Sequence, residues 1–234
     1  GDRTVTFNEG DSGIVSVDLP VSSRVIRASP DEPYLSLALA IDMRLLRDLA
    51  ADTGLLGDTE AASPIETAEA DGAMVDAMGR LFDLIDKPAV ARSVMEPLIS
   101  REIHFWMLSA RHGAMLRALC RKDSNAERIA RAIAVIRRDF TERLRIDDLA
   151  RTAAMSNSAF HDRFKAITGT TPLQFQKRLR LMEARRLIAS GELSVSAAAW
   201  RVGYESPTQF SREYARAWGA PPRTDLPARL AEPA

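Results

Sequence analysis

Two short stretches carry side chains whose types and spacing suit reading the edges of a nucleic-acid duplex. On the stretch from Asn157 to Thr168, Phe160, Phe164 and Ile167 recur at helical spacing. If these face inward, Asn157, Ser158, His161, Asp162 and Lys165 face outward. On the second stretch, inward Phe210, Tyr214 and Trp218 leave Thr208, Gln209, Ser211, Arg212 and Arg216 outward. An arginine in a major groove can pair bidentately with guanine, so Arg212 is the strongest base-contact candidate. Ser158, His161, Asp162, Thr208, Gln209 and Ser211 complete the set assigned to bases. Asn157, Arg163, Lys165, Arg201 and Arg216 are assigned to phosphates, contacts that position a protein without specifying sequence. Asp162 runs against this pattern, because a carboxylate near phosphates is repelled. It can accept from a cytosine amino group, pair with Arg163 or Arg185, or leave its stretch the weaker reader, which is the preferred reading.

Each of these helices has to be carried outward by something, and the sequence repeats the device that does so. "IDDLARTAAMSNSAFHDRFKAITG" and "VSAAAWRVGYESPTQFSREYARAWG" align residue on residue, with one extra residue in the second at the turn. Each predicts a short helix, a tight turn and a longer amphipathic helix. Ser156 suits a cap, and small residues at Ala150 and Ala153 let the two helices cross closely. Between the copies, a helix starts at Pro172, carries Phe175, Leu179, Met182, Leu187 and Ile188, and stops at Gly191. Such a connector spans roughly 25 Å. Successive major-groove faces lie about 34 Å apart. With the width of the two units added, both reading helices can reach one side of a duplex.

Apolar residues make up 46% of the 234-residue chain and charged residues 27%, the composition of a soluble globular protein. No transmembrane run or secretory signal is present. The single cysteine, Cys120, excludes an internal disulfide framework and suits a reducing compartment, hence a cytoplasmic location. The net charge of zero hides a division. Residues 1–120 hold 11 Lys/Arg against 19 Asp/Glu, whereas residues 121–234 hold 21 against 13. Only the back half is therefore expected to meet a polyanion.

The front half alternates apolar and polar residues in short bursts: Val5 and Phe7, then Ile14, Val15 and Val17, then Val25 and Ile26. These predict short antiparallel strands too few to fold alone, and Tyr34–Ile41 predicts another. Asp42 caps a helix with Leu45, Leu46 and Leu49 inward, ending at Gly54. Residues 55–71 are weakly patterned and predict a surface loop. Helical spacing returns at Met74, Met78, Leu81, Phe82 and Ile85, and again from Pro88 to Met107, where Pro97 should bend or divide the run. Residues 71–120 are expected as a small helical bundle, packed on the sheet or forming a dimer surface. His104 and His112 lack the spacing of a zinc helix, and no HExxH or CxxC occurs. Nothing marks a catalytic residue, a cofactor or a bound metal. The polar stretch "CRKDSNAERI" sets the boundary, followed by a supporting helix with Ile129, Ile133 and Ile136 on one stripe.

The residues from about Glu127 to Asp225 resemble the AraC/XylS family of bacterial transcription regulators. The likeness rests on "LARTAAMSNSAFHDRFKAITGTTPLQFQKRLRLMEARRLI" and "VGYESPTQFSREYARAWGAPP", with the TGxxP junction, the RLxxARxL connector and the GYxSxxxFSRxY signature in order. In that family two helix-turn-helix units joined by a helix read successive major grooves and recruit or position RNA polymerase. "SVDLPVSSRVIRASPDEPYLSLALAID" resembles the later part of the cupin-like barrel domain of a subgroup, which holds an effector or mediates dimerisation. The chain opens at Gly1 without a methionine, and earlier barrel strands are absent from it, so an effector pocket would be incomplete. Three departures stand out. Ala154 replaces the glycine of most relatives, which is tolerable if the turn avoids positive φ. Asp162 replaces a basic residue, and the aromatic–arginine pair expected near Thr224–Asp225 is missing.

The expected fold class is α+β: a partial cupin-like β-barrel with a helical bundle over residues 1–120, then an all-α domain with two helix-turn-helix units over 121–234. The expected function is sequence-specific regulation of transcription on double-stranded DNA, with no enzyme activity. A small-molecule effector, RNA polymerase and a second copy of the chain are the further partners implied. The alternatives are a cupin-type metal-dependent enzyme, against which no histidine occurs before His104, and a protein-interaction module. Replacing Arg212 by Ala should reduce discrimination between matched and scrambled duplexes by about 1–3 kcal/mol, the worth of a bidentate base contact. Equal losses on both duplexes would reassign Arg212 to the backbone.

Overall fold

One of the strands expected at the front forms, and it pairs with a segment expected to be loop. β1 (Asp11–Val15) runs antiparallel to β2 (Ile65–Glu69), in a register from Asp11↔Glu69 to Val15↔Ile65. Backbone bonds from Ser16 N–H to the Pro64 carbonyl (2.9 Å) and from Ala70 N–H to the Gly10 carbonyl (2.9 Å) extend the ladder at both ends. The computed structural model describes residues 4–56 and 63–225, and among them the sheet has these two strands. The partial cupin-like barrel is thereby overturned, because a barrel closes only when its strands are paired on both edges and a two-stranded ribbon keeps two open ones. Val5 and Phe7, Val25 and Ile26, and Tyr34–Ile41 take no ladder. An apolar run becomes a strand only where a neighbour satisfies its backbone. Leu35 is instead 85% exposed, and only Leu39 and Ile41 of that run pack on the core. Of the expected loop, residues 57–62 lie outside those described.

Helices supply most of the front unit. α1 (Met43–Thr53) begins at Asp42, whose carboxylate accepts from the N–H groups of Arg44 (2.8 Å) and Leu45 (3.1 Å), and ends at Gly54 in the left-handed region. α2 (Gly72–Asp83), α3 (Ala89–Ser109) and α4 (Ala114–Cys120) follow, and α1, α2 and α4 each pack on α3. α3 passes through Pro97 undivided, giving up the one backbone bond that the proline cannot donate. Leu46, Ile99, Ile103, Leu108 and Leu116 are buried at the centre of this unit with Ile14 of β1. Each such side chain contributes about 1.5–3 kcal/mol relative to exposure.

The two front histidines tie elements together. His104 Nε2 accepts the Asp42 N–H (2.8 Å) while its Nδ1 donates to the Ser100 carbonyl (2.7 Å), which fixes the orientation of the ring. His112 Nε2 meets the Ser12 hydroxyl at 2.9 Å, and burial holds its pKa below the ordinary value.

The described residues form two compact units, one drawn from Gly1–Ala130 with Ala166–Gly169 and the other from Arg131–Lys165 with Thr170–Ala234. The remaining helices are α5 (Asn125–Arg138), α6 (Ile146–Thr152), α7 (Asn157–Thr168), α8 (Pro172–Ala189), α9 (Val195–Arg201) and α10 (Pro207–Trp218). No described helix is long and apolar enough to cross a membrane. Replacing His104 by Leu should destabilise the front unit by about 0.5–1.5 kcal/mol, since the part-buried bond from the Asp42 N–H then loses its acceptor. Urea unfolding checks the magnitude, and amide exchange should report the loss first at the start of α1.

Candidate nucleic-acid interface

The two helix pairs, α6 with α7 and α9 with α10, turn by the same backbone device. In the first turn, Ala153 N–H bonds to the Leu149 carbonyl, Ala154 N–H to Arg151 and Met155 N–H to Ala150, each at 2.9 Å. In the second, Val202 bonds to Ala198 (3.1 Å), Gly203 to Trp200 (3.0 Å) and Tyr204 to Ala199 (3.0 Å). This six-to-one and five-to-two pattern places its penultimate residue in the left-handed region. Gly203 sits there at φ 86°, and Ala154 at φ 50°. The condition under which Ala154 is costless therefore fails: the turn needs a positive φ, and a Cβ makes that unfavourable. Gly203 has a second reason to be glycine, because a Cβ there would lie 2.2 Å from the Thr141 carbonyl oxygen.

Large aromatic side chains then anchor each second helix. Phe160 and Phe164, 5.5 Å apart by ring centroid, are fully buried, and Phe164 meets Phe175 of α8 at 5.5 Å. In α10, Phe210 lies 5.3 Å from Tyr204 and 5.6 Å from Tyr214. Ser156 caps α7 and Ser206 caps α10, each accepting at 3.3 Å from the N–H three residues on. The inward residues expected from the sequence are Phe160, Phe164, Ile167, Phe210 and Tyr214, all of which are buried; Trp218 is half-buried.

With those faces packed, Asn157, Ser158, His161, Asp162, Arg163 and Lys165 are exposed on α7. Thr208, Gln209, Arg212 and Arg216 are exposed on α10, Arg201 is exposed on α9, and Ser211 is half-buried. Asn157 and Gln209 are among those engaged within the protein. Asn157 donates to the Asp147 carboxylate (2.6 Å), joining the start of α7 to α6. Gln209 donates to Glu213 one turn along at 3.3 Å. Arg185, one of the partners considered for Asp162, pairs with Asp225 (3.0 Å) and lies over the Trp218 ring at 4.2 Å. Asp225 is buried and also accepts from the Tyr214 hydroxyl (2.9 Å), so it ties the end of the described chain to α10. Burial and the Asp225 carboxylate push the Tyr214 hydroxyl pKa up, which keeps it a donor.

Residues of the connector α8 that the sequence reading passed over hold this unit together. Its buried residues are Pro172, Phe175, Gln176, Leu181, Ala184 and Leu187, with Leu179 and Met182 only half-buried. Gln176 donates to the carbonyls of Phe140 (2.9 Å) and Glu142 (2.6 Å). Arg180 donates to Phe140 (2.7 Å), Thr141 (2.8 Å), Glu142 (2.9 Å) and Gly203 (2.8 Å). The available signal was a polar pair at i,i+4 on a helix otherwise read by its apolar stripe.

A family model described as the AraC-type transcriptional regulator N-terminus matches residues 1–115, and a helix-turn-helix domain model matches residues 149–226. The front part of the chain is thus similar to the N-terminal part of AraC-type transcriptional regulators, and the back part, with its two helix-turn-helix pairs, to a helix-turn-helix domain. A putative AraC-like transcription regulator from Streptomyces lividans is 36% identical over 94 residues, covering 40% of this chain and 31% of that protein. The HTH-type transcriptional activator RhaS of Escherichia coli is 32% identical over 126 residues, covering 53% of this chain and 44% of the relative. The crystal structure of the DNA-binding domain of AdpA, a global transcriptional factor, in complex with a target DNA shares 31% identity. It covers 44% of this chain and 93% of that one, with a TM-score of 0.41. The chain thus spans a third to a half of the length of the two curated relatives. The two curated relatives are named as regulators of transcription.

Replacing Ala154 by Gly should stabilise the protein by about 0.5–1 kcal/mol. Relief of the left-handed alanine, about 1–2 kcal/mol, outweighs the extra freedom glycine adds to the unfolded chain. A higher urea midpoint at unchanged slope is the expected result.

Proposed function

We propose that the chain engages double-stranded DNA by laying α7 and α10 into successive major-groove segments, and that this engagement regulates transcription of adjoining genes. The observation that carries the reading is the shared turn geometry, which gives both second helices a packed aromatic face and an exposed polar, cationic one. Arg212, exposed on the outer face of α10, has the reach for a guanine, with Thr208, Gln209 and Ser211 beside it. On α7, Ser158 and His161 read bases, and Asp162 makes this the weaker unit. Arg163, Lys165, Arg201 and Arg216 take phosphates, with Asn157 doing so only through whatever Asp147 leaves free.

The back half, residues 121–234, is the DNA-binding part, and residues 1–120 are the regulating part. The charge division supports this assignment, since the acidic front is unsuited to lying along phosphates. So does an open apolar hollow of about 490 Å³ in the front unit, lined in part by Leu37, Leu39, Met78, Phe82 and Ile85. Exposed apolar surface of this kind suits an effector or a second copy of the chain. RhaS is named an activator, and by that likeness the chain assists RNA polymerase from the DNA it occupies, in the bacterial cytoplasm.

A salt series on a duplex selected from a random pool separates this reading from a protein-interaction module. If Arg163, Lys165, Arg201 and Arg216 each neutralise one phosphate, log affinity should fall against log salt with a slope of about −3.6. Replacing Lys165 and Arg216 by Ala should make the slope shallower by about 2. A flat series would sink the DNA reading.

A further inference from the structure

Two pieces of backbone that belong to different helix-turn-helix units meet inside the second compact unit. One is the stretch Phe140–Glu142, which leads into α6, and the other is the turn at Gly203 between α9 and α10. They approach so closely that a Cβ on Gly203 would lie 2.2 Å from the Thr141 carbonyl oxygen. The connector α8 grips both at this point. Arg180 reaches Phe140, Thr141 and Glu142 with Nε and Nη2, and Gly203 with Nη1, all within 2.7–2.9 Å. Gln176, one turn earlier and buried, donates a second bond to each of the Phe140 and Glu142 carbonyls. Lys177 then pairs with Glu213 of α10 at 3.1 Å, and Glu213 accepts from the Tyr204 hydroxyl at 2.9 Å.

We propose that Arg180 is a positioning residue for two-segment DNA recognition: it locks the turn of the second helix-turn-helix to the backbone leading into the first, and so sets the spacing between the two DNA segments the chain accepts. The physical case rests on the type of contact. A guanidinium offers a rigid planar fork of donors, and each bond to a carbonyl is charge-assisted and directional. Apolar packing alone lets helices slide or rotate at modest cost, whereas donors aimed at four carbonyls hold one arrangement. The three carbonyls of Phe140–Glu142 and that of Gly203 converge on one side chain, so neither unit can rotate without breaking a bond to it. On B-DNA one added base pair turns the second segment by about 34° relative to the first. A locked joint cannot follow that rotation, and a loosened one can.

This inference rests on the DNA reading above, and the experiment separates the two. The full chain selects a duplex from a random pool, footprinting locates the two contacted segments, and one or two base pairs are then inserted between them. The measured quantity is the ratio of affinities for the parent and inserted duplexes, which does not depend on the active fraction of a preparation. Wild type should lose about tenfold or more on insertion, and Arg180→Ala should bring that ratio to within about threefold. Arg180→Lys keeps the charge but supplies one nitrogen where three now act, and should fall between; it decides the matter if Arg180→Ala does not fold by circular dichroism. An unchanged ratio in a folded Arg180 variant overturns the positioning role and leaves the DNA reading standing. So does a wild type that tolerates the insertions. A wild type that selects no duplex overturns both.

Discussion

A helix can read a groove only if it is carried clear of the helix before it, and here one left-handed backbone position per unit decides that geometry. Ala154 and Gly203 occupy the same place in the same hydrogen-bond pattern, and everything outward of them follows. Small buried residues at Ala150 and Ala153, and at Ala198 and Ala199, let the helices cross closely. Phe160 and Phe210 then fill the inner angle, so the opposite side chains have nowhere to go but solvent. The two copies meet the requirement unequally. Gly203 satisfies it without strain and permits a backbone contact besides, whereas Ala154 sits in the left-handed region with a Cβ. The first unit also carries Asp162 on its outer face, so both departures fall on the same copy.

The connector shows why a helix between two binding modules needs more than length. α8 buries Phe175, Leu181, Ala184 and Leu187, enough to bring the units together. Apolar burial is not directional, and two units held by it alone sample a range of angles. Gln176 and Arg180 add direction by binding carbonyls that the surrounding turns leave without helical partners. Partly buried polar joints of this sort are costly when half-satisfied and specific when complete. Aligning two reading helices to a fixed DNA repeat is a task that rewards specificity over raw stability.

The front unit is built by a different economy of contacts. Among the described residues its sheet is a single pair of strands, and its order comes from helices stacked on α3 and from two histidines that bridge segments distant in sequence. The acidic balance lies in this part of the chain and the basic balance in the other, so the back half is the part whose charge suits the proposed polyanion. The exposed apolar side chains of the front, Leu35 and Phe82 among them, are features a regulatory surface can use.

Much of the back half was legible before any coordinates. Phe160, Phe164, Phe210 and Tyr214 at helical spacing dictated which faces turn inward, and the repeat dictated that the same unit occurs twice. The charge division needed no structure at all. The front half was far less legible, because a strand is defined by its neighbour: the apolar run Tyr34–Ile41 takes no ladder, while the unremarkable IETAE of β2 pairs along its length. Positive φ at Ala154, the approach of Gly203 to Thr141, and the convergence of four carbonyls on Arg180 were hidden for the same reason. Periodicity is a property of one helix or strand, and sequence alone determined that much. Which backbone groups from distant segments face the same side chain is a property of packing, and only the tertiary structure decided it.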